Sequence, residues 1–538
     1  MLQSLGPYHE WLGHRPPHDD TPAGIVTIAC VIEGKGWSKL KSHVAFIAAL
    51  YMSFKKGEIK SIAVIGAGAS GAMALDTLVR EQAFDTIKVF ERREKAGGVW
   101  HVPSSYSRLN DEHVQNQPVP IGIQENDIDP PLPPPDVLPA KTKKSPQERY
   151  DATPIYSYLE TNIDVHVMEF TEEPISDRAT PESIARFGAN TPFRHHSVIQ
   201  HYVEGLFQRH DYEKYIEFRV TVERVAKSGK GWTLTLRRSE KDHDYWWQEY
   251  FDAVAICSGH YSVPFVPDIP GLVDMATTYP GSVEHTKGFR SRNDYKDLNV
   301  VIVGGNISAM DAAFDIVDHA KHVGVAMRGK PHPYFTDTVF THPAIHRHTG
   351  IRRIDAASRS VYYYDGTVDT NVDKILLGTG YRFSLPFLKQ KDVSNNRIHG
   401  LYQHVVNIED PTLAFIGAVN AGLTFKTFEW QAVLVSRLWS GRCTLPSVEE
   451  QYQWEMDRIR QRGDNVKFTV QYPDFEEYFN TLRDLAGNDG PGRKLPVFDP
   501  SWREGFEACV ALRISRWKYD IENATKEAKK GCDKQCHL

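Results

Sequence analysis

The sequence predicts an α/β fold containing two doubly wound parallel-sheet units. Three observations carry that prediction. The stretch "IAVIGAGASGAMALDTLV" (62–79) is a short apolar run, a glycine-rich turn and then helical spacing, and "VIVGGNISAMDAA" (301–313) repeats the pattern far downstream. The third is size: at 538 residues the chain exceeds one small core, on a prior of about 150 residues per domain.

Composition narrows the class. With 41% hydrophobic, 25% charged and 11% aromatic residues the chain is an ordinary globular protein. A net charge of −6 without an extended Lys/Arg block leaves nothing to neutralise a phosphate backbone, so a nucleic-acid partner is not expected. Six cysteines (Cys30, Cys257, Cys443, Cys509, Cys532, Cys536) are too few and too scattered for a disulfide framework, which points to a reducing, cytoplasmic setting. The tail "GCDKQCHL" lacks a second ligand pair for a metal and reads as exposed and polar. No apolar run reaches the roughly 18 residues that span a bilayer; "VAFIAALYM" (44–52) is too short, and the polar, acidic N-terminus is not a signal peptide. A membrane role is not expected.

The elements follow in order. Residues 1–57 read as a peripheral extension, with Met52 a natural start. In the first turn, after the strand Ile62–Ile65, Gly66 makes the tight bend, Gly68 admits a pyrophosphate and Gly71 lets the helix pack on the strand. The helix N-terminus then offers free N–H groups to a diphosphate. A second strand, "TIKVFE", ends at Glu91, twenty residues past Gly71, where a carboxylate accepts ribose hydroxyls. The continuation "ERREKAGGVW" resembles FAD-binding flavoproteins more than simple dehydrogenases. "DPPLPPPDVLPAKTKKSP" (129–146) is too proline-rich for a helix or central strand and reads as a surface loop.

The second turn has different chemistry. Gly304 and Gly305 are followed by Asn306, a residue that tolerates left-handed backbone, and Ala309 can still pack closely. The next strand, "HVGVAM", ends in Arg328, with Lys330 close behind, where a guanidinium can pair with a 2′-phosphate that a carboxylate would repel. The two turns therefore predict FAD upstream and NADPH downstream, so that a hydride donor and a flavin meet on one chain.

Between and after the turns lie "YPGSVEHTKGF" (279–289), "GHYSVPFVPDIPG" (259–271) and "LLGTGY" (376–381). The first fits F-x-G-x-x-x-H-x-x-x-[FY], with Tyr279 for Phe, then Gly281, His285 and Phe289. Together they resemble the flavin-containing monooxygenases, class B flavoprotein monooxygenases, over about residues 61–446. The resemblance implies two Rossmann-like dinucleotide-binding domains, an FAD domain (58–261 and 375–446) interrupted by an inserted NADP domain (262–374), followed by a helical region and polar tail (447–538).

It also implies roles. Gly66, Gly68, Ser70, Gly71, Glu91, Val99, Trp100, Thr161, Asn162 and Ile163 would serve FAD; Gly304, Ser308, Ala309, Asp311 and Arg328 would serve NADPH. "YSYLETNIDVHVMEF" (156–170) looks like the segment that sets an Asn at the flavin edge, matched by Asn162. His285 is expected to organise the NADP-binding segment rather than transfer protons. "LAFIGAVNAGLTFKTFEWQAVLVSRLWSGRCTLP" (413–446) resembles the returning FAD segment, with no chemistry assigned to Glu429 or Gln431. The implied reaction reduces FAD with NADPH and passes one oxygen of O2, through a C4a-hydroperoxyflavin, to a nitrogen or sulfur nucleophile of a small molecule. The polar C-terminus resembles soluble fungal members, with secondary metabolism one setting for the substrate; substrate identity and oligomeric state are not fixed by the sequence, a dimer being compatible with it. The alternatives are a Baeyer–Villiger monooxygenase, whose His motif typically continues Trp-Pro where this chain has Phe289-Arg290, a flavin disulfide reductase, for which Cys257 lacks a near partner, and a non-enzymatic nucleotide-binding module.

Overall fold

The computed structural model describes residues 53–102, 121–122, 128–147, 153–329, 332–420 and 422–535, with side chains described as far as 526. Residues 1–52, Lys330, Cys536 and His537, each part of a reading above, lie outside the described residues.

A seven-stranded sheet forms around the first turn. Its parallel core runs in the spatial order Leu413–Phe415, Ala253–Ile256, Ser61–Ile65, Thr86–Glu91, Ile216–Phe218, and two short antiparallel strands, Val406–Asn407 and Leu401–Tyr402, close the edge. Ile62, Ala63 and Val64 are fully buried, as expected of a parallel strand covered on both faces. The helices Ala69–Arg80 and Thr424–Trp439 pack on one face, where Thr77 Oγ1 donates to the Ala432 carbonyl at 3.3 Å. A four-stranded antiparallel sheet, including Val220–Ser228, Gly231–Ser239 and His243–Phe251, contributes apolar residues to the core on the other.

The chain leaves this sheet after Ile256 and returns to it at Leu401. In between, a second sheet, all parallel, runs Val283–His285, Lys374–Leu377, Asn299–Val303, His322–Ala326, Ile345–His348. Three antiparallel strands, Ile351–Asp355, Ser360–Tyr363 and Val368–Asp369, share its core. The two crossings between the sheets run side by side as a ribbon, Val263–Pro264 against Tyr381–Arg382. The return crossing follows Leu377 instead of beginning at 375, because residues 374–377 are committed to pairing with Val300–Val303.

Two local expectations are corrected. The proline-rich stretch is not all loop: Ala140–Lys143 forms an edge strand against His243–Trp246, which proline permits because it lies just before the strand at 139 and not within it. Asn306 does not use left-handed backbone. Its φ is −104°, and its side chain accepts from the Ile307 N–H as an N-cap. Beyond the sheets, helices Val448–Arg462, Phe475–Ala486 and Pro500–Gln535 complete the chain.

Buried charge ties these helical regions to the first sheet's cover. Arg493, with its side chain 1% exposed, pairs with Asp76 and with Glu429, and its carbonyl accepts from Arg437 at 2.8 Å, the guanidinium of which pairs with Glu81 at 3.1 Å. Glu429 also accepts from Thr171 N–H at 2.8 Å, and Gln431 Oε1 accepts from Gly417 N–H at 2.8 Å. Both side chains therefore fasten backbone.

Candidate functional site

A cavity of about 1600 Å³ opens at the carboxyl ends of the first sheet's strands and extends to the second glycine turn. That is the crevice where doubly wound folds bind ligands, and its volume exceeds the roughly 300–1,000 Å³ of a single small-molecule pocket.

At its first end lie Gly66, Gly68, Ala69 and Ser70. The helix beginning at Ala69 has Gly68 as its N-cap and no side-chain cap, so its first N–H groups remain for a ligand. Two approaches leave no room for side chains. A Cβ on Gly71 would sit 2.0 Å from the Gly66 carbonyl oxygen, and one on Gly98 would sit 2.8 Å from Gly68 Cα. Glu91, 6% exposed, lines the cavity and is oriented by the Ala67 and Arg93 N–H groups, each at 2.8 Å. Each carboxylate oxygen keeps a second lone pair for a ribose hydroxyl. Val99 and Trp100 line the same end. An uncapped helix terminus, a cradle that only glycine fits and an oriented carboxylate suit the adenosine diphosphate half of FAD.

Thr161, Asn162 and Ile163 line the same cavity. Their loop is anchored from behind: Thr161 N–H donates to the Arg194 carbonyl at 2.8 Å, and Thr161 Oγ1 accepts from Arg194 N–H at 3.1 Å. Asp164 caps the next turn through the His166 N–H. Between these anchors Asn162 is exposed to the cavity, and its amide makes no hydrogen bond among the described residues.

At the far end lie Gly305, Asn306, Ile307 and Arg328. Arg328 is exposed, pairs with no carboxylate among the described residues, and also borders an adjoining depression of about 560 Å³ that includes Arg347, Tyr364 and Asp365. Gly304 and Ala309 sit behind the lining: a Cβ on Gly378 would lie 2.7 Å from Ala309, so the helix rests directly on the strand turn. Gly71 is likewise a packing position, and Ser308 is absent from the lining. Asp311 is turned elsewhere, its carboxylate paired with Arg513 of the C-terminal helix.

Tyr279, Gly281, His285 and Phe289 are outside the cavity. Tyr279 is 36% exposed, whereas Phe289 is buried against Tyr156 and Tyr295. His285 is wholly buried and bonded at both ring nitrogens, to Gly380 O and Lys287 N, and burial pushes its pKa down to about 4. It is held neutral at physiological pH.

The structure adds residues that the sequence reading missed. Lys287, two positions past His285, lines the cavity and donates Nζ to the carbonyls of Tyr261 (3.2 Å) and Ser262 (2.6 Å). His260 lines it too; burial pushes it down to about 4, and although Gly417 and Asn420 face the ring, neither nitrogen completes a hydrogen bond. An apolar end is built from Tyr334, Phe335, Phe425, Phe428, Tyr472 and Phe506. Lys287 and His260 lie inside quoted motifs and could have been found there; the aromatics come from four separate stretches that share no local signal. Cys257 is buried and free, and burial raises its thiol well above the usual range.

Comparison with known proteins agrees with this geometry. Residues 154–332 and 343–498, more than half the chain, match the family model described as flavin-binding monooxygenase-like. The chain is 31% identical over 493 residues to flavin-containing monooxygenase FMO GS-OX-like 2 of Arabidopsis thaliana, covering 87% of this chain and 93% of that protein. It is 25% identical to flavin-containing monooxygenase ustF2 of Aspergillus flavus, covering 83% and 96%. Among solved structures, S-allyl-L-cysteine S-oxygenase from Allium sativum superposes with a TM-score of 0.66 at 24% identity, covering 88% of this chain and 99% of that one. Tmm from Pelagibacter superposes at 0.63 and 20% identity, covering 84% and 90%. With two glycine turns facing one cavity, a family match over more than half of the chain and a 31% identical relative spanning most of it, the chain belongs to the flavin-binding monooxygenase-like family, oxidoreductases that depend on FAD and NADPH.

Proposed function

We propose that the protein transfers one oxygen atom from O2 to a nitrogen or sulfur nucleophile of a small molecule, giving the N- or S-oxide, NADP⁺ and water from substrate, O2, NADPH and one proton. The observation that carries this reading is Asn162, a neutral amide with no hydrogen bond among the described residues, exposed to the cavity that both glycine turns line.

When bound, FAD takes the hydride of NADPH and activates O2. The chain's residues then divide the work. The turn Gly66–Ser70 and Glu91 would hold the pyrophosphate and ribose of FAD, and Arg328 the 2′-phosphate of NADPH. Asn162 would donate an amide hydrogen bond at the reacting edge without releasing a proton. An acid there would do both, which favours discharge of the activated oxygen as peroxide.

The Baeyer–Villiger alternative needs a cation to hold a deprotonated oxidant. Lys287 spends hydrogen bonds on two backbone carbonyls, and Arg382 lies 4.0 Å from the ring centre of Phe265. Both cations are thus engaged by the protein itself, and the products in the test below separate the two reactions. A reductase would need a thiolate pair, and buried, free Cys257 offers neither.

The test uses the FAD-loaded protein with NADPH and ¹⁸O2, offered a thioether, a tertiary amine and a cyclic ketone. Labelled sulfoxide or N-oxide with no lactone is expected; lactone without heteroatom oxide would overturn the reading.

A further inference from the structure

The family match ends at residue 498, and the helix Pro500–Gln535 starts just beyond it, yet this helix reaches the cavity and both sheets' covering elements. Phe506 lines the cavity's apolar end; its ring fills the space over Gly422, where a Cβ would lie 2.5 Å away. It packs at 5.9 Å from Tyr334 and 5.8 Å from Tyr472. Nearby, Gly505 allows the helix to touch Val167, since a Cβ there would meet Val167 at 2.5 Å. Cys509 lies beside Asp164; burial and then that carboxylate push its thiol up to about 11. The helix thus leans on the segment that follows Asn162.

Further along, the same helix grips the inserted domain. Arg513, with its side chain 11% exposed, pairs with Asp311 and lies 5.0 Å from the ring centres of both Phe335 and Trp517. Trp517 in turn meets Phe314, which shares the helix Ile307–Ile316 with Asp311. Exposed ion pairs contribute little, but a nearly buried guanidinium held by a carboxylate and two rings fixes position. Phe335 is itself a cavity wall.

We propose that Phe506 is the specificity-determining residue of the apolar end, limiting the length of the substrate's apolar substituent, and that Arg513 is a positioning residue that sets this wall by latching the helix to Asp311. The substrate class is then a thioether or amine bearing an apolar group of restricted size, a proposal that rests on the heteroatom-oxygenating reading above.

Two measurements on FAD-loaded protein separate the ideas. Unreactive methyl alkyl sulfones from ethyl to hexyl are titrated by calorimetry, and the matching sulfides are turned over with NADPH. Phe506→Ala is expected to raise the hexyl-to-ethyl ratio about tenfold in both binding and kcat/KM, the equivalent of roughly two more buried methylenes. Phe506→Leu, which keeps an apolar filler, is expected to fall between, and flavin absorbance reports that each variant is folded. Arg513→Ala and Asp311→Asn are each expected to blunt the length preference, the double variant doing no more than either alone, and Arg513→Lys to restore part of it. Unchanged ratios in both Phe506 variants, or no sulfone binding at all, would overturn the wall assignment; additive effects of the latch variants would overturn the positioning role. If sulfones bind with the predicted ratios but no sulfide is oxygenated, the wall stands and the reaction reading falls.

Discussion

His285 Nε2–H donates to the Gly380 carbonyl at 2.9 Å while its Nδ1 accepts the Lys287 N–H at 3.0 Å. One neutral tautomer satisfies both bonds. Gly380 belongs to the return crossing between the sheets, and Lys287 Nζ holds the carbonyls of Tyr261 and Ser262 in the outward one. Two residues of one motif, His285 and Lys287, therefore secure both connections of the inserted domain.

Acid should loosen that arrangement. Burial, aided by the Lys287 charge and opposed by Gly380, lowers His285 to about 4. A histidine whose folded pKa lies below its unfolded value near 6.5 leaves stability undiminished above pH 6.5. Stability is lost as pH falls from there toward 4, because only the unfolded imidazole takes up the proton. The window corresponds to roughly 3 kcal/mol at about 1.4 kcal/mol per pH unit. The melting temperature should drop between pH 6.5 and 4.5, and His285→Gln should flatten the dependence while lowering stability at pH 7.5. His196, His260 and His332, also lowered to about 4 by burial, contribute to the remainder, as do His342, His348 and His404, which burial lowers too. An equal pH slope in wild type and His285→Gln would dissociate the motif from the effect.

Gly68→Asp should abolish FAD binding. The position caps a helix with no side chain of its own and faces both the cavity and Gly98. A carboxylate there sets a negative charge where a diphosphate would approach the helix N-terminus, replacing an attraction with a repulsion. The purified variant is expected to be colourless with far-ultraviolet circular dichroism like the wild type. A folded yellow variant would refute the site.

What the sequence revealed and what it hid follow from the range of the interactions. The two glycine turns were legible because strand, bend, helix and terminal charge lie within about thirty residues, and local sterics dictate Gly71 and Ala309. The backbone of Asn306 was misjudged because the same amide that tolerates left-handed geometry also makes a good N-cap. The edge strand Ala140–Lys143 is set by its partner a hundred residues away, not by its own prolines. Asp311 read as a cofactor contact because it follows the turn on a helix; its partner, Arg513, lies about two hundred residues further on. The aromatic end of the cavity was unreadable for the same reason.

Arg328→Ala should separate the two nicotinamide coenzymes. Among the described residues the guanidinium borders the cavity without a carboxylate to hold it, so its removal leaves their ion pairs intact. Loss of a charge-assisted pair with a 2′-phosphate should raise KM for NADPH on the order of tenfold to a hundredfold and leave NADH almost unchanged. Steady-state oxidation of each coenzyme checks this. Equal losses with both would assign Arg328 to structure.

The last expectation concerns Asn162, whose value depends on being a donor that does not give up its proton. Its loop is held by Thr161 and Arg194 on one side and by the Asp164 cap on the other. Substitution at the tip should therefore leave FAD content unchanged. Asn162→Asp preserves shape but replaces two N–H donors with a group that is an acceptor when ionised and an acid when protonated. The ionised state lacks the required donor and the protonated state donates but can also give up its proton, so oxide formation per NADPH should fall on the order of tenfold or more, in the range seen when one preorganised donor is lost, while hydrogen peroxide rises to account for the missing oxygen. Asn162→Ala should uncouple similarly, because it also lacks the donor, whereas Asn162→Gln should recover part of the coupling if the longer amide reaches the same place. Product and peroxide are measured side by side with a thioether and NADPH. Full coupling in both the Asp and Ala variants would mean that another group, not Asn162, supplies the hydrogen bond.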